Sequence, residues 1–341
     1  MKKIALFAAV AATLCTVACN KEIAGQAGND VKANEAQQEQ RYDLKVNVRS
    51  GDLVQTKSTT ITAANEIAVN NLQVFVFRGD ALDAYVSVND DDELTVSCTG
   101  GERQVYALVN CPDLSAVSTK TALLATTSNL YDNSGTNFQM IGHQDEVDLP
   151  DDSPVTIDVH RIAARVVIKK ISRAFTVSAL ASKSFRIDQI FLINVAGDIN
   201  FGETEAPTVW YNKWMYTSEQ AAFTYDAPSA SLANNASYST VHSFYAYPNP
   251  TVGDSDSSTW SARHTRLVVK ATLGSDVYYY PITLPVLESN KSYEIEELIL
   301  TRPGSDHPDK PVTFEDCTFN INVVGWTTVD VADEGEDDIT I

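Results

Sequence analysis

Apolar and polar residues alternate along much of the chain, beginning at about residue 42. The clearest case is 42–49, where Tyr42, Leu44, Val46 and Val48 alternate with charged or polar residues. Successive side chains of a strand point to opposite faces, so this period of two is typical of a half-buried strand. We therefore expect one face of 42–49 to lie against a core, and we expect the strand to form the edge of its sheet.

Similar strand patterns recur through the rest of the chain. They predict strands at 67–77, 84–88, 94–98, 103–109, 155–171, 185–195, 265–273, 277–284, 292–300 and 318–324. Gly100-Gly101 predicts a tight hairpin between 94–98 and 103–109, and Gly274 predicts another between 265–273 and 277–284. One short helix is predicted over 113–123, with Asp113 capping its first turn.

Many short strands, hairpin turns and a single helix indicate an all-β fold. We expect two tandem Greek-key β-sandwich domains, one over residues 42–172 and one over residues 173–341. The boundary is placed where the strand pattern loosens into small and polar residues near 172–182.

The first 19 residues have the features of a bacterial lipoprotein signal peptide. Lys2 and Lys3 precede an apolar run over 4–14, and a small-residue cleavage site ends at Cys19. The run is too short to span about 30 Å of hydrocarbon. We therefore expect Cys19 to carry a fatty acyl group such as palmitate and to anchor the chain in the outer membrane. Residues 20–41 have almost no large apolar side chain, which predicts a disordered tether.

The segment after the first strand is polar and contains a basic residue at Lys57, while Arg49 ends the strand itself. Both positions are potential sites for a trypsin-like protease. Cleavage at either would free strand 42–48. Our hypothesis is that this strand is a removable plug, which a strand of another subunit replaces. The alternative is an ordinary first strand.

Composition narrows the possible partners. The formal net charge is −20, and an acidic surface repels phosphate backbones, so nucleic acid is a poor candidate partner. Beyond Cys15 and Cys19, the remaining cysteines are Cys98, Cys111 and Cys317, which we expect to be buried thiols.

The sequence contains none of the common hydrolase, nucleotide-binding or zinc motifs that we sought. Its five histidines, at 143, 160, 242, 264 and 307, have no metal-ligand spacing. The acidic runs 90–93 and 333–338 lack the pattern of a calcium loop and are interpreted as solvated surface. We expect no enzyme activity, no cofactor and no metal.

A set of segments, taken in order, resembles the fimbrillin family, the pilin subunits of type V pili in Bacteroidales-type bacteria. The segments are Cys19 with its signal, VNNLQVFVF at 69–77, GGERQVYALVN at 100–110, HRIAARVVI at 160–168, TRLVVKATL at 265–273, KSYEI at 291–295 and TRPGSD at 301–306. The resemblance implies a lipoprotein precursor that consists of two transthyretin-like sandwiches. After processing, the protein would be part of an extracellular fimbrium on the cell surface.

The resemblance also implies a route of assembly. A trypsin-like surface protease would cut between the first two strands, and strand 42–48 would be lost. Lys57 fits the position of the cut better than Arg49, although the processing enzyme associated with the family prefers arginine. Partners would be further copies of the chain, joined head to tail, and accessory pilus subunits.

The strand donated to a neighbour would come from the C-terminal segment 326–341. Its apolar candidates are Trp326, Val329, Val331, Ile339 and Ile341. The acidic run 333–338 interrupts them, so the donor could consist of two short strands.

Two other functions remain open on the sequence. The chain could be an anchor or tip subunit of a pilus instead of its repeated shaft subunit. It could also be a glycan-binding surface lipoprotein, with Trp210, Trp214 and Tyr216 as a stacking platform for sugar rings.

Overall fold

The computed structural model of the chain describes residues 40–50, 64–150, 153–215, 225–255, 259–313 and 316–326. The structure is an all-β sandwich, which confirms the predicted fold class. Its strands are β1 Arg41–Ser50, β2 Asn71–Arg78, β3 Ala81–Asn89, β4 Glu93–Thr99, β5 Gly101–Val109, β6 Thr127–Asn129, β7 Met140–Leu149, β8 Val155–Arg161, β9 Ala164–Ile168, β10 Ile171–Arg173, β11 Phe185–Ile193, β12 Val195–Ala196, β13 Asp198–Asn200, β14 Trp210–Tyr211, β15 Tyr225–Asp226, β16 Ala230–Ser231, β17 Ser237–Tyr238, β18 His242–Ala246, β19 Arg266–Leu273, β20 Asp276–Thr283, β21 Lys291–Leu300 and β22 Cys317–Gly325. The α-helices are α1 Lys120–Ala125 and α2 Ser178–Ala181, and 3-10 turns cover Ala64–Ile67 and Leu130–Asp132.

The first eight strands except β6 form one sheet in the order β3-β2-β5-β7-β8-β1-β4. This sheet folds over between β7 and β8, because those two strands pair only at Met140 with Arg161 and at Ile141 with His160. The leaf β8-β1-β4 then faces the leaf β3-β2-β5-β7. Their apolar side chains enclose a core that we call the N-terminal core, to which β1, β2, β4, β5, β7 and β8 all contribute.

The later strands build two further large sheets, while β12 pairs with β14 and β13 pairs with β6 in two-stranded sheets. The first of the large sheets has the order β17-β10-β21-β9-β18, and β22 also pairs with β21. The second has the order β15-β11-β19-β20, and β16 also pairs with β11. A larger core runs from Phe75 and Phe77 to Trp326 without a break. The described residues lie in one compact unit, Glu39–Ile341, and the predicted division into domains at residue 172 stays a prediction.

The predicted hairpin between 94–98 and 103–109 is wrong. Strand β4 pairs with β1, whereas β5 pairs with β2 and β7. The turn at Gly100-Gly101 carries the chain from one leaf to the other instead of reversing it within a sheet. Gly101 has a φ of 91°, a conformation that favours glycine, and Gly100 lies against the ring of Tyr42.

The predicted long strand over 155–171 is also wrong, since it comprises β8, β9 and β10. Strand β8 exposes alternate residues, as a strand does with one face in water, whereas every residue of β9 is buried. The two strands belong to different sheets, and the chain passes between them at Ile162 and Ala163.

The predicted helix over 113–123 is shorter and starts later. The Thr119 hydroxyl caps α1 by accepting a hydrogen bond from Ala122 N at 3.1 Å. Asp113 instead closes a local turn, accepting from Ser115 N at 2.9 Å. A second short α-helix, α2, was not predicted.

Two other expectations, for the second hairpin and for the buried cysteines, are confirmed. Strands β19 and β20 form the predicted hairpin, and Gly274 has a φ of 65° in its turn. Cys98, Cys111 and Cys317 are free and buried. Among the described residues, no helix is long and apolar enough to cross a membrane.

Candidate functional site around the first strand

Strand β1 occupies an interior position in its leaf. It runs parallel to β8, with Val48 opposite Ile157, and antiparallel to β4, with Leu44 opposite Val96. The expectation of an edge strand is therefore wrong. The edge of the leaf is β4, and β1 links it to β8.

The predicted apolar face of β1 is buried as the alternation requires. Leu44 and Val46 are 0% exposed and Val48 is 6% exposed, all three within the N-terminal core, while Tyr42 is half-buried. The ring of Tyr42 lies so close to Gly100 that a methyl group added there would be 2.8 Å from Tyr42 Cε2. Strand β1 therefore fills the space between β8 and β4, which we call the β1 groove, and its apolar face packs on the N-terminal core.

The C-terminal end of β1 is held by polar contacts. Arg49 donates from Nε and Nη2 to the two carboxylate oxygens of Asp158, at 2.7 and 2.9 Å. The Ser50 hydroxyl donates to the carbonyl of Ile67 at 2.9 Å, so the end of β1 contacts the turn Ala64–Ile67 that follows the connector 51–63. Lys57 and Cys19 lie outside the described residues.

A buried polar cluster holds the far end of β4. The Asp83 carboxylate, on β3, accepts from Thr99 N at 2.8 Å and from Arg103 Nε, on β5, at 2.9 Å. Arg103 also donates to the carbonyl of Gly100 at 2.7 Å and to the Thr99 hydroxyl. Burial alone would raise the pKa of Asp83, but the hydrogen bonds from Arg103 and Thr99 outweigh it and lower that pKa below its ordinary value. Asp83 is therefore a carboxylate at neutral pH, paired with Arg103. We call Asp83, Thr99 and Arg103 the β4 clamp.

A second buried cluster joins the start of the chain after the connector to the end of β22. Glu66 accepts from Arg165 Nη1 at 3.0 Å, from the Tyr245 hydroxyl at 2.7 Å and from Trp326 Nε1 at 2.8 Å. Arg161 donates to the carbonyls of Glu66 and Trp326, at 2.9 and 2.8 Å.

Trp326 is itself fully buried in this cluster. Its ring stacks on Tyr245, with centroids 5.5 Å apart, and lies beneath the guanidinium of Arg161. Of the predicted donor residues, only Trp326 is described; Val329, Val331, Ile339 and Ile341 lie outside the described residues. Trp326 belongs to the core of its own chain.

The aromatic residues of the glycan-binding alternative pack against other rings of the chain. Trp210 makes an edge contact with Trp260, at 5.4 Å between centroids. Trp214 packs on Phe191 and donates from Nε1 to Asn212 at 3.0 Å. Tyr216 lies outside the described residues.

The histidines have structural partners. Four of them are hydrogen-bonded to nearby groups: His160 to Glu203, His242 to Asp226 and Tyr238, His264 to Asp254, and His307 to the backbone of Asp309. The fifth, His143, stacks on Tyr106. Within the described part of the chain, no group of acidic, histidine and cysteine side chains could hold a metal ion.

Sequence reasoning missed the β4 clamp and the cluster around Glu66. Their members lie far apart in the chain, and charged residues at these positions look like solvated surface. The one available signal was the charge of Arg161 and Arg165 within an otherwise apolar stretch, since a buried charge requires a partner.

Comparison with known proteins finds a family match over the part of the chain that contains this site. Residues 43–154, which include most of β1 and all of β2, β3, β4 and β5, match the family described as major fimbrial subunit protein (FimA). No curated protein matches the chain.

Several solved structures share the fold. A candidate cell adhesion protein from Bacteroides eggerthii has a TM-score of 0.63 at 20% identity, over 84% of this chain and 97% of that one. A fimbrilin from Porphyromonas gingivalis has a TM-score of 0.61 at 15% identity, over 84% of this chain and 98% of that one. A candidate cell adhesion protein from Parabacteroides distasonis has a TM-score of 0.59 at 21% identity, over 84% of this chain and 97% of that one.

At these identities the structural likeness establishes the fold, and the match of residues 43–154 connects the chain with fimbrial subunits. The resemblance of this chain to the fimbrillin family is therefore confirmed, by sequence over the part that contains the β1 groove and by fold over most of its length.

Proposed function

We propose that this chain is a structural, non-enzymatic subunit of a cell-surface fimbrium that supports adhesion. It is exported as an outer-membrane lipoprotein precursor held by Cys19, and it polymerises when proteolysis releases β1 and a neighbouring subunit fills the groove. One observation carries the proposal most directly. Strand β1 fills an interior position of its leaf, yet it is the first strand and is followed by a polar connector that contains Lys57. A single cut can therefore release a whole interior strand.

The groove left by β1 would suit an extended segment. Its walls, β8 and β4, would stand about 9–10 Å apart, two strand spacings, each with unpaired backbone donors and acceptors. Its floor is the N-terminal core. Three buried aliphatic side chains at about 1.5–3 kcal/mol each amount to roughly 5–9 kcal/mol, before any backbone hydrogen bonds. A strand of similar pattern would therefore bind tightly by strand addition.

The donor segment is proposed to start after Trp326, because Trp326 is buried in its own subunit. Residues 327–341 then supply the donor, with Val329, Val331, Ile339 and Ile341 as the side chains that enter the groove. Insertion of one subunit's C-terminal segment into the next is a heterologous contact, which produces filaments instead of closed rings. Accessory pilus subunits could join the same filament through the same groove.

Lys57 is the better candidate for the cut. Arg49 lies within the β1–β8 ladder, opposite Asp158, and its side chain binds that residue through two hydrogen bonds. A protease needs several extended residues around the scissile bond, so cleavage after Arg49 would require the end of β1 to detach first. The β1–β8 ladder ends at Ser50, ahead of Lys57, which favours Lys57 as the site for a trypsin-like surface protease that accepts lysine.

The experiment compares surface material from cells that express wild type, Lys57→Ala, Arg49→Ala or both substitutions. Unboiled samples are examined for high-molecular-weight ladders, and the N-terminus of sheared material is sequenced. We expect wild type to start at Ser58 and to form ladders, and the double variant to remain monomeric.

Arg41→Ala, which removes a basic residue on the other side of β1, serves as the control and should polymerise normally. Ladders from the double variant would show that cleavage here is not the trigger, and a lipidated Cys19 on polymerised material would indicate an anchor subunit.

A further inference from the structure

Strand β4 depends on β1 for its place in the sheet. It is the last strand in the order, and β1 is its only ladder partner within the described residues. If β1 leaves, as the proposed function requires, β4 loses all the backbone hydrogen bonds of the β1–β4 ladder. Its apolar side chains Leu94, Val96 and Cys98 still face the N-terminal core. Apolar contacts are not directional, so they hold a strand against a core without fixing its register.

The β4 clamp supplies a contact that does not involve β1. Asp83 binds both the backbone N–H and the hydroxyl of Thr99, at 2.8 and 2.9 Å, and so fixes one residue of β4 in position. Arg103 fixes the next residue through the carbonyl of Gly100. The side chains of Asp83 and Arg103 are 9% and 2% exposed, so these charge-assisted hydrogen bonds are largely shielded from water.

We propose that Asp83 and Arg103 are positioning residues that keep β4 in register as one wall of the groove after β1 has been removed. This inference rests on the proposed strand exchange and adds a requirement to it. The other wall is secured separately, since β8 is joined to β7 through Arg161 and His160. A donor must form hydrogen bonds with both walls at once, and a slip of β4 by one residue would turn its apolar side chains away from the core. The clamp therefore contributes little to the register of β4 while β1 is present, and it fixes that register once β1 is absent.

The position of the clamp fits this role. It lies at the Thr99 end of β4, opposite Arg41, where β1 begins. At the other end of β4, the described backbone contact is from Val48 N, on β1 itself, to Asp92 O at 2.8 Å. After β1 has left, the clamp is thus the polar attachment of β4 to the opposite leaf that the described part of the chain provides, through β3 and β5.

The test uses a variant that removes both charges, Asp83→Asn with Arg103→Met, because removing one alone would leave an unpaired buried charge. The control is Asp188→Asn with Arg186→Met, which makes the same substitutions at a more exposed Asp–Arg pair on β11, in another sheet. Full-length mature proteins are compared before and after limited trypsin treatment, with the trypsin then inhibited. The intact proteins are assayed by thermal unfolding. The cut proteins are assayed for binding of a fluorescent peptide with the sequence of residues 41–50, which fits the groove as β1 does.

We expect the intact clamp variant to unfold within about 5 °C of the control variant, since β1 still holds β4. After cleavage, we expect it to bind the peptide about tenfold or more weakly than cut wild type and cut control, and to form no ladders. Equal peptide binding by cut wild type and cut clamp variant would overturn the inference. If the intact clamp variant does not fold, Thr99→Val replaces it, with a loss of about threefold expected. If cut wild type itself binds no peptide, the result contradicts the proposed strand exchange. The clamp inference, which rests on that exchange, is then contradicted as well.

Discussion

Glu66 accepts a hydrogen bond from the indole nitrogen of Trp326 at 2.8 Å, across 260 residues of sequence. Glu66 lies in the first described turn after the connector 51–63, and Trp326 is the last residue before segment 327–341. The connector proposed to be cut therefore ends, and the segment proposed to be donated begins, within a few residues of this buried hydrogen bond. Arg161 strengthens the link, since it donates to the backbone carbonyls of both residues.

Loss of this contact should destabilise the chain measurably. Trp326→Phe removes one donor to a buried carboxylate, and we expect it to lower the free energy of unfolding by about 1–2 kcal/mol. Glu66→Gln removes the carboxylate that lies nearest to Arg165, and we expect it to lower the free energy of unfolding by about 3 kcal/mol. Urea unfolding of both single variants and the double variant should give a coupling energy of about 1 kcal/mol. Trp210→Phe, at a half-buried site, is the control. A Trp326→Phe variant as stable as that control would contradict the assignment.

The two faces of β1 predict opposite effects for neighbouring substitutions. Leu44→Ala should destabilise the intact chain by about 2–5 kcal/mol, because it leaves a cavity in the N-terminal core. Lys45→Ala, one residue along and exposed, should change stability by less than about 0.5 kcal/mol. After cleavage, strand release followed by fluorescence should be about thirtyfold or more faster for Leu44→Ala. Equal release rates for the two variants would show that the buried face does not retain the strand.

Asp254 should make stability depend on pH in the acidic range. Burial alone would raise the pKa of Asp254, but hydrogen bonds from the Arg266 side chain and the His264 backbone lower it to about 2, from an ordinary value of 3.8. A lowered pKa stabilises the fold fully above about pH 4, and this contribution is lost as the pH falls towards 2. Relative to Asp254→Asn, wild type should lose about 2 kcal/mol between pH 4 and 2. A constant difference in unfolding free energy across that range would exclude this pairing.

Removal of residues 327–341 should abolish donation while leaving the fold intact. The described structure ends at Trp326, so the truncated chain retains the cluster around Glu66. We expect a folded monomer that accepts a donor from wild-type subunits after cleavage but extends no further. Mixing labelled truncated protein with wild type should therefore cap filaments and shorten them. Fibres formed by the truncated protein alone would show that the donor lies elsewhere.

Local pattern predicted the elements whose surroundings are simple. The alternation over 42–49 gave the bounds of β1 to within a residue and identified its buried face, because β1 has one face in a core and the other in water. The β19–β20 hairpin was predicted for a related reason, since its turn and its two pairing strands are adjacent in sequence. Both features depend on contacts between near neighbours in the chain, which sequence periodicity reports directly.

The partners of each strand were decided only by the tertiary structure. Alternation in β4 shows which side chains are buried, but not that the strand pairs with β1 instead of β5 across Gly100-Gly101. The interior position of β1, the Asp83–Arg103 pair and the Glu66–Trp326 contact depend equally on residues distant in sequence. Periodicity specifies which face of an element is apolar. Which other element covers that face, and which buried charges meet there, is settled by packing the whole chain.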